Sequence, residues 1–203
     1  MMAMRPMSRG RRVLIIQGHP DPAGVRFCRA LAKAYADGAR EAGREIRHID
    51  VATLGFELLR SKEGWESGAP PDIIRACQED VRWSEHLVIV YPLWLDGMPA
   101  LLKGFFEQVF RPGFAICQVG DKGRWRKLLK GKSARIVITM GMPTLLYRWY
   151  FGAHSLKSLE RNVLGFCGIG PIRESLIGMV ESRDESRRKK WLSHMRALGL
   201  RGL

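Results

Sequence analysis

Residues 87–114 (LVIVYPLWLDGMPALLKGFFEQVFRPGF) constrain the fold more than any other stretch of the chain. The run LVIVY contains only aliphatic and aromatic residues, which suits a strand buried on both faces of a parallel sheet. Pro92 withdraws a backbone donor and ends that strand. Residues 93–98 then form a loop, and Pro99 stands where a helix favours proline as its first residue. From there Leu101, Leu102, Phe105, Phe106, Val109 and Phe110 recur at helical spacing and make one wide apolar face. Buried strand, aromatic loop and amphipathic helix together form a unit of an open α/β sheet. Ligands of such sheets sit at the carboxyl ends of the strands, in loops like this one.

The rest of the chain repeats the unit. Residues 13–17 (VLIIQ) read as a first buried strand, and the spacing of Phe27, Leu31, Ala34 and Tyr35 predicts a helix that stops near Gly43. A second strand is expected at 45–50 and a helix at 72–83. Between them, 51–71 has no clean period, and Gly64, Gly68, Pro70 and Pro71 mark a loop. Residues 114–131 are expected to be irregular, and 133–139 (SARIVIT) form the fourth core strand. The aromatic-rich stretch 145–166 reads as helical in its second half, and 171–179 as a fifth strand. A terminal helix over 181–200 puts Trp191, Leu192, Met195 and Leu198 on one side. Strands alternating with helices mean an α/β fold with a mainly parallel sheet. Residues 1–10 are expected to be a mobile basic tail and 11–203 a single domain. A length of 203 residues is enough for one sizeable core.

Composition narrows the function classes. The four cysteines, Cys28, Cys77, Cys117 and Cys167, are far apart and form no CxxC pair, which argues against zinc and disulfide frameworks and suits a reducing cytoplasm. No apolar run approaches the ~18 residues of a membrane span, and no apolar segment of an export signal precedes Val13. The net charge of +14 is the unusual total. Nucleic acid or an anionic membrane surface would explain it. So would an anionic cofactor and a pyridine nucleotide together with a basic solvated surface. Apart from 9–12 and 187–190 the basic residues are scattered, which favours the last account and makes nucleic acid an unlikely partner.

The central stretch also resembles a family. PLWLDGMPALLKGFFEQVFRPGF is similar to the signature segment of the flavodoxin-like NAD(P)H:quinone oxidoreductases, which include animal quinone reductases, bacterial modulators of drug activity and the ancillary flavoproteins of potassium efflux systems. Gly18-His19-Pro20-Asp21-Pro22, Asp121-Lys122-Gly123 before the fourth strand, and Phe166-Cys167-Gly168 match the same family in the same order. The resemblance covers residues 13–179. It implies a flavodoxin-like, doubly wound, five-stranded parallel sheet of order 2-1-3-4-5, with FAD or alternatively FMN bound across the switch point between the first and third strands.

By this resemblance His19, Arg26, Phe27 and Cys28 contact the flavin phosphates, at a helix start that offers free amides. Arg26 and Cys28 replace the Ser and Asn usual in the family. Pro92, Leu93, Trp94 and Leu95 pack the isoalloxazine, and Trp94 supplies a planar apolar wall. Thr139, Met140 and Gly141 approach it from the third loop. Met142 and Pro143 depart from the family's small residues there, and bulk at 142 would narrow the substrate cleft. Tyr147 and His154 stand near the positions of a catalytic Tyr/His pair that stabilises negative charge developing on the flavin. The alternative for both is an aromatic packing cluster with Trp149, Tyr150 and Phe151.

The resemblance implies a homodimer, and three consecutive rings at 149–151 cannot all be hidden by one helix. Two functions of different class follow. One is an enzyme taking hydride from NAD(P)H and reducing a quinone or similar acceptor. The other is a regulatory flavoprotein acting on a peripheral membrane or transporter partner, such as a cation efflux system.

Overall fold

The computed structural model describes residues 12–23, 26–120, 124–181 and 184–203. The expected basic tail at 1–10, Gly24 of the first loop and the Asp121-Lys122-Gly123 motif lie outside them. Five parallel strands form the sheet in the order β2-β1-β3-β6-β7: β1 (Arg12–Gln17), β2 (Glu45–Asp50), β3 (His86–Pro92), β6 (Ser133–Thr139) and β7 (Ile172–Ile177). This is the expected 2-1-3-4-5 order, with β6 and β7 as the fourth and fifth sheet strands.

The reason for the unbroken apolar runs is visible in how β1 and β3 distribute their side chains. Leu14, Ile16, Leu87, Ile89 and Tyr91 belong to one core, and Val13, Ile15, Val88 and Val90 to the core on the opposite face. Alternate residues point to opposite faces, and both faces are covered, so the middle of each strand is apolar and the buried polar side chains, Gln17 and His86, stand at strand ends.

The helices divide between the two faces. α1 (Phe27–Glu41) and α8 (Glu185–Arg201) cover one through Leu31, Tyr35, Met195 and Leu198. α3 (Asp72–Trp83) and α4 (Ala100–Val109) cover the other through Ile74, Val81, Leu102, Phe105 and Phe106. Pro99 occupies the N-cap of α4, one position before the helix proper.

Two segments read as irregular contain regular structure. Within 51–71 lie a 3₁₀ turn, Val51–Thr53, and a short helix α2 (Lys62–Glu66) capped by Ser61. The buried Arg111 guanidinium holds that loop down by donating to the Gly64 carbonyl at 2.9 Å and the Gly68 carbonyl at 2.8 Å. Between α4 and β6, an antiparallel hairpin joins β4 (Ile116–Val119) to β5 (Arg124–Lys127). Its RWRK strand lacks the apolar alternation by which a strand is read from sequence.

After β6 the chain runs through α5 (Thr144–Trp149), α6 (His154–Lys157), a π-helical stretch Ser158–Leu164 and α7 (Gly165–Cys167). No helix among the described residues is long and apolar enough to cross a membrane.

Candidate active site

The loops after β1, β3 and β6 meet at one edge of the sheet, because these strands are neighbours and all run the same way. Backbone bonds continue past the strand ends: the Gly18 amide donates to the Val90 carbonyl, and the Leu93 amide to the Thr139 carbonyl, each at 2.8 Å. Gly18 has no room for a side chain, since a Cβ there would lie 2.5 Å from Leu102 Cδ2. The first loop is therefore seated directly on α4.

A cleft of about 630 Å³ opens at this edge. Six residues singled out from the sequence line it: His19, Arg26, Phe27, Cys28, Pro92 and Thr139. Its volume falls within the ~300–1,000 Å³ of cofactor sites. The far wall comes from residues that sequence reasoning missed, notably Glu181, Arg188, Lys189 and Leu192. The one signal pointing there was the basic run 187–190, because a helix that follows the fifth strand begins at the strands' carboxyl edge.

The α1 end of the cleft suits an anion. Arg26 is the N-cap of α1, its own side chain does not cap the helix, and the first turn has no acidic residue. The Arg29 amide is taken by the Gln17 side chain and the Arg26 carbonyl, which leaves the Phe27 and Cys28 amides and the helix dipole for the cleft. The Arg26 guanidinium is engaged by the Asp21 carboxylate, which also accepts the Ala23 amide at 2.8 Å. That backbone bond first, and Arg26 next, hold the Asp21 carboxyl below its ordinary range.

His19 accepts the Asp21 amide on Nδ1 at 3.1 Å, so its neutral ring carries the proton on Nε2. Burial and then the Arg26 charge lower its pKa, which favours that neutral form. Cys28 Sγ lies 3.1 Å from Thr139 Oγ1, and burial pushes the thiol up to about 11. It is a thiol at neutral pH and not a nucleophile.

The second loop is a tight turn closed by Trp94 and Gly97, whose amides and carbonyls bond reciprocally at 2.9 and 2.8 Å. Leu95 and Asp96 at its tip have φ of 45° and 57°. The left-handed region costs a non-glycine residue roughly 1–2 kcal/mol, and strain of this kind collects at functional sites. The turn holds the Trp94 ring edge-on to His19, with centroids 6.2 Å apart. Trp94 remains half exposed, and Leu95 projects fully into solvent. Leu93 packs against the core.

In the third loop Met140 is buried, with its amide bonded to the Ile177 carbonyl at 2.9 Å. Gly141 is exposed, and a Cβ there would lie 3.2 Å from a Glu181 carboxylate oxygen. Met142 packs against the core instead of standing in the open.

Tyr147 and His154 are treated differently by the fold. Tyr147 is completely enclosed. Its hydroxyl lies 2.8 Å from Ser155 Oγ and accepts the Leu156 amide at 3.2 Å, and burial raises its pKa. The hydroxyl that the resemblance directs at the flavin is thus turned into the protein. His154 is exposed at the start of α6. Of the aromatic residues that are the packing alternative for this region, Tyr147 is in the core and Tyr150 packs edge-on against Phe151 with centroids 5.0 Å apart, while Trp149 and Tyr150 remain largely exposed.

A family profile described as Flavodoxin-like fold matches residues 11–198. The chain belongs to this family. Among sequence relatives of this flavodoxin-like protein is an uncharacterized NAD(P)H oxidoreductase of Haemophilus influenzae, 30% identical over 87% of this chain and 88% of that one. NAD(P)H dehydrogenase [quinone] 1 of Cavia porcellus is 28% identical over 82% of this chain and 68% of its own length. Among solved structures, the NAD(P)H:quinone oxidoreductase of Methanothermobacter marburgensis superimposes with a TM-score of 0.74 at 24% identity. It covers 94% of this chain and 96% of its own. These relatives bear out the family drawn from the four motifs.

Proposed function

We propose that this flavodoxin-like protein is an enzyme of the NAD(P)H dehydrogenase (quinone) type, passing two electrons from NAD(P)H through a flavin to a quinone or similar acceptor. The observation that carries the reading is the cleft itself. The start of α1 and the ends of β3 and β6 line it with Phe27, Cys28, Pro92 and Thr139, while the half-exposed Trp94 indole stands beside His19 and Gly141 beside Glu181 at its border. Relatives named as NAD(P)H oxidoreductase and NAD(P)H dehydrogenase support the same chemistry.

The residues fit the cofactor. The amides of Phe27 and Cys28, with Arg26, hold the phosphate, as helix starts hold anions generally. Leu93 and Trp94 wall the ring, and Thr139 and Gly141 approach its edge. FAD is preferred to FMN because the quinone reductases that the chain resembles use it, and Arg188 and Lys189 on α8 add positive charge beside the α1 start for a second phosphate. When bound, the flavin supplies a hydride acceptor and donor, so one site serves both half-reactions.

The chain's own part is to place charge and to exclude water. His154 is the donor that answers negative charge arising on the cofactor. Tyr147 contributes from behind, with its hydroxyl tied to the turn that carries His154. Leu145, Trp149 and Tyr150, all largely exposed, form with Leu95 the contact surface of a homodimer.

Purified protein is expected to be yellow, to release about one flavin per chain on denaturation, and to oxidise NAD(P)H in the presence of a soluble quinone. Protein that stays colourless and leaves flavin fluorescence unchanged after incubation with FAD and FMN would overturn the reading.

A further inference from the structure

We propose that the left-handed turn at Gly152 and Ala153 is a positioning device for His154, and that Gly152 determines where the imidazole stands. The inference rests on the reading of His154 as the charge-answering donor.

α5 ends at Trp149, and both the Tyr150 and the Phe151 amide close onto the Leu146 carbonyl. The next two residues are both left-handed, Gly152 at φ 65° and Ala153 at φ 49°. Two such residues in succession turn the chain back on itself, and the Ala153 amide reaches the Tyr147 carbonyl at 3.0 Å. The second of them is not a glycine, so the surroundings must hold it in place.

What holds it is Tyr147. The same residue takes the Ala153 amide on its carbonyl, the Leu156 amide on its hydroxyl, and Ser155 Oγ at 2.8 Å on that hydroxyl. Three bonds from one buried side chain and its backbone therefore bracket His154 from both sides.

Gly152 does the rest by what it lacks. A Cβ there would lie 2.7 Å from His154 Nε2, 3.1 Å from Cδ2 and 3.3 Å from Cε1. The imidazole rests against the glycine Cα, in space that any side chain would fill. The atoms in conflict belong to the end of a rotatable side chain. An added methyl group therefore displaces the ring, besides the strain that any side chain meets at φ 65°. A glycine needed only for its positive φ would have no reason to be covered by this particular ring.

The test is a double-mutant cycle read by stopped-flow reduction of the flavin-loaded protein with NADPH, beside the His154 imidazole proton shifts of the flavin-free protein by NMR. Gly152→Ala is expected to move those shifts, and shifts left unmoved would overturn the positioning role. His154→Gln exchanges the placed imidazole N–H for a freely rotating amide and is expected to slow reduction about 10²–10³-fold, the usual effect of losing one preorganised donor. Gly152→Ala is expected to slow it roughly tenfold or more, with flavin content retained. In the His154→Gln background Gly152→Ala should add nothing, because interaction through one residue is non-additive.

Reduction of Gly152→Ala at wild-type speed beside a slow His154→Gln would overturn the positioning role alone. Independent, multiplying effects would do the same. His154→Gln at wild-type speed would overturn the underlying reading as well. Should Gly152→Ala fail to fold, Ser155→Ala loosens the same turn through Tyr147. Its expected slowing, several-fold, must likewise vanish in the His154→Gln background, and its persistence there would count against the device.

Discussion

Two regions on opposite faces of the sheet are built on opposite principles. On one side α1 and α8 pack backbone against backbone. A Cβ on Gly38 would lie 2.0 Å from the Arg196 carbonyl oxygen, and one on Gly199 would lie 2.1 Å from that of Tyr35. The chain between β6 and β7 is the opposite case. It passes through short helices, a left-handed turn and a π-helical stretch, and it leaves Leu145, Trp149 and Tyr150 largely in solvent. The close-packed pair is locked near the ends of α1 and α8, while the starts of the same two helices line the cleft. The irregular side carries the histidine and the apolar surface, which regular helices could not present together. Rigidity and exposure are separated in the molecule, as they are when loops carry chemistry on a stable frame.

The sharpest way to break this contrast is to insert bulk where backbone meets backbone. Gly38→Val sets its Cβ against a carbonyl that cannot turn aside. It is expected to cost about 3 kcal/mol or more, lowering the melting temperature by roughly 6–12 °C. Calorimetry of the purified variant checks it, and a loss below 1 kcal/mol would mean that the helix pair can slide apart freely.

Acid probes the same side. His86 is buried at the start of β3 beside Tyr35, with ring centroids 6.3 Å apart. Nδ1 lies 2.8 Å from Ser133 Oγ, and Nε2 has no hydrogen-bond partner among the described residues. Burial first, then Arg135, Arg173 and Arg44, bring its pKa down to about 4. The folded pKa lies below the unfolded value of about 6.5, so between these values the unfolded chain binds the extra proton. Stability is then fully present above pH 6.5 and falls as the pH drops towards 4, by about 3 kcal/mol in all. Urea unfolding at pH 7 and pH 4.5 measures it, and His86→Phe should flatten that part of the profile.

The smallest effect belongs to the exposed side and leaves the monomer's fold alone. Trp149→Asp is expected to weaken self-association roughly 30-fold, the scale of losing one tryptophan anchor at about 2 kcal/mol. Melting of the dissociated chain should be little changed. Sedimentation across low micromolar concentrations tests both halves. A wild-type protein that stays monomeric throughout would show that these rings serve another contact.

Much of the frame was legible in the residues. Strands 13–17, 87–91 and 133–139 are readable as largely apolar runs because sheet strands are covered on both faces. The buried Arg135 in the last of them is accommodated by bonds to the Leu203 and Glu174 carbonyls and Ser175 Oγ. Helix 72–83 coincides with α3. The hairpin at 116–127 was not legible, because its second strand reads RWRK and is held by pairing with the first. For the site, the residues of the first loop and strand ends could be named, since helix starts and strand ends bear local marks. The α8 wall was marked only by the basic run 187–190, because Arg188 reaches the cleft only after the chain has crossed the whole sheet.

The sequence by itself determined the alternation of buried strands and amphipathic helices, and with it the edge at which a ligand must sit. Those properties depend on residues a few positions apart. Tertiary structure alone decided that Gly38 and Gly199 meet main chain and that α8 closes the cleft. It also decided that Tyr147 turns inward while His154 faces out. Each of these depends on atoms from distant parts of the chain competing for the same space. Close packing settles that competition only when the whole core is assembled.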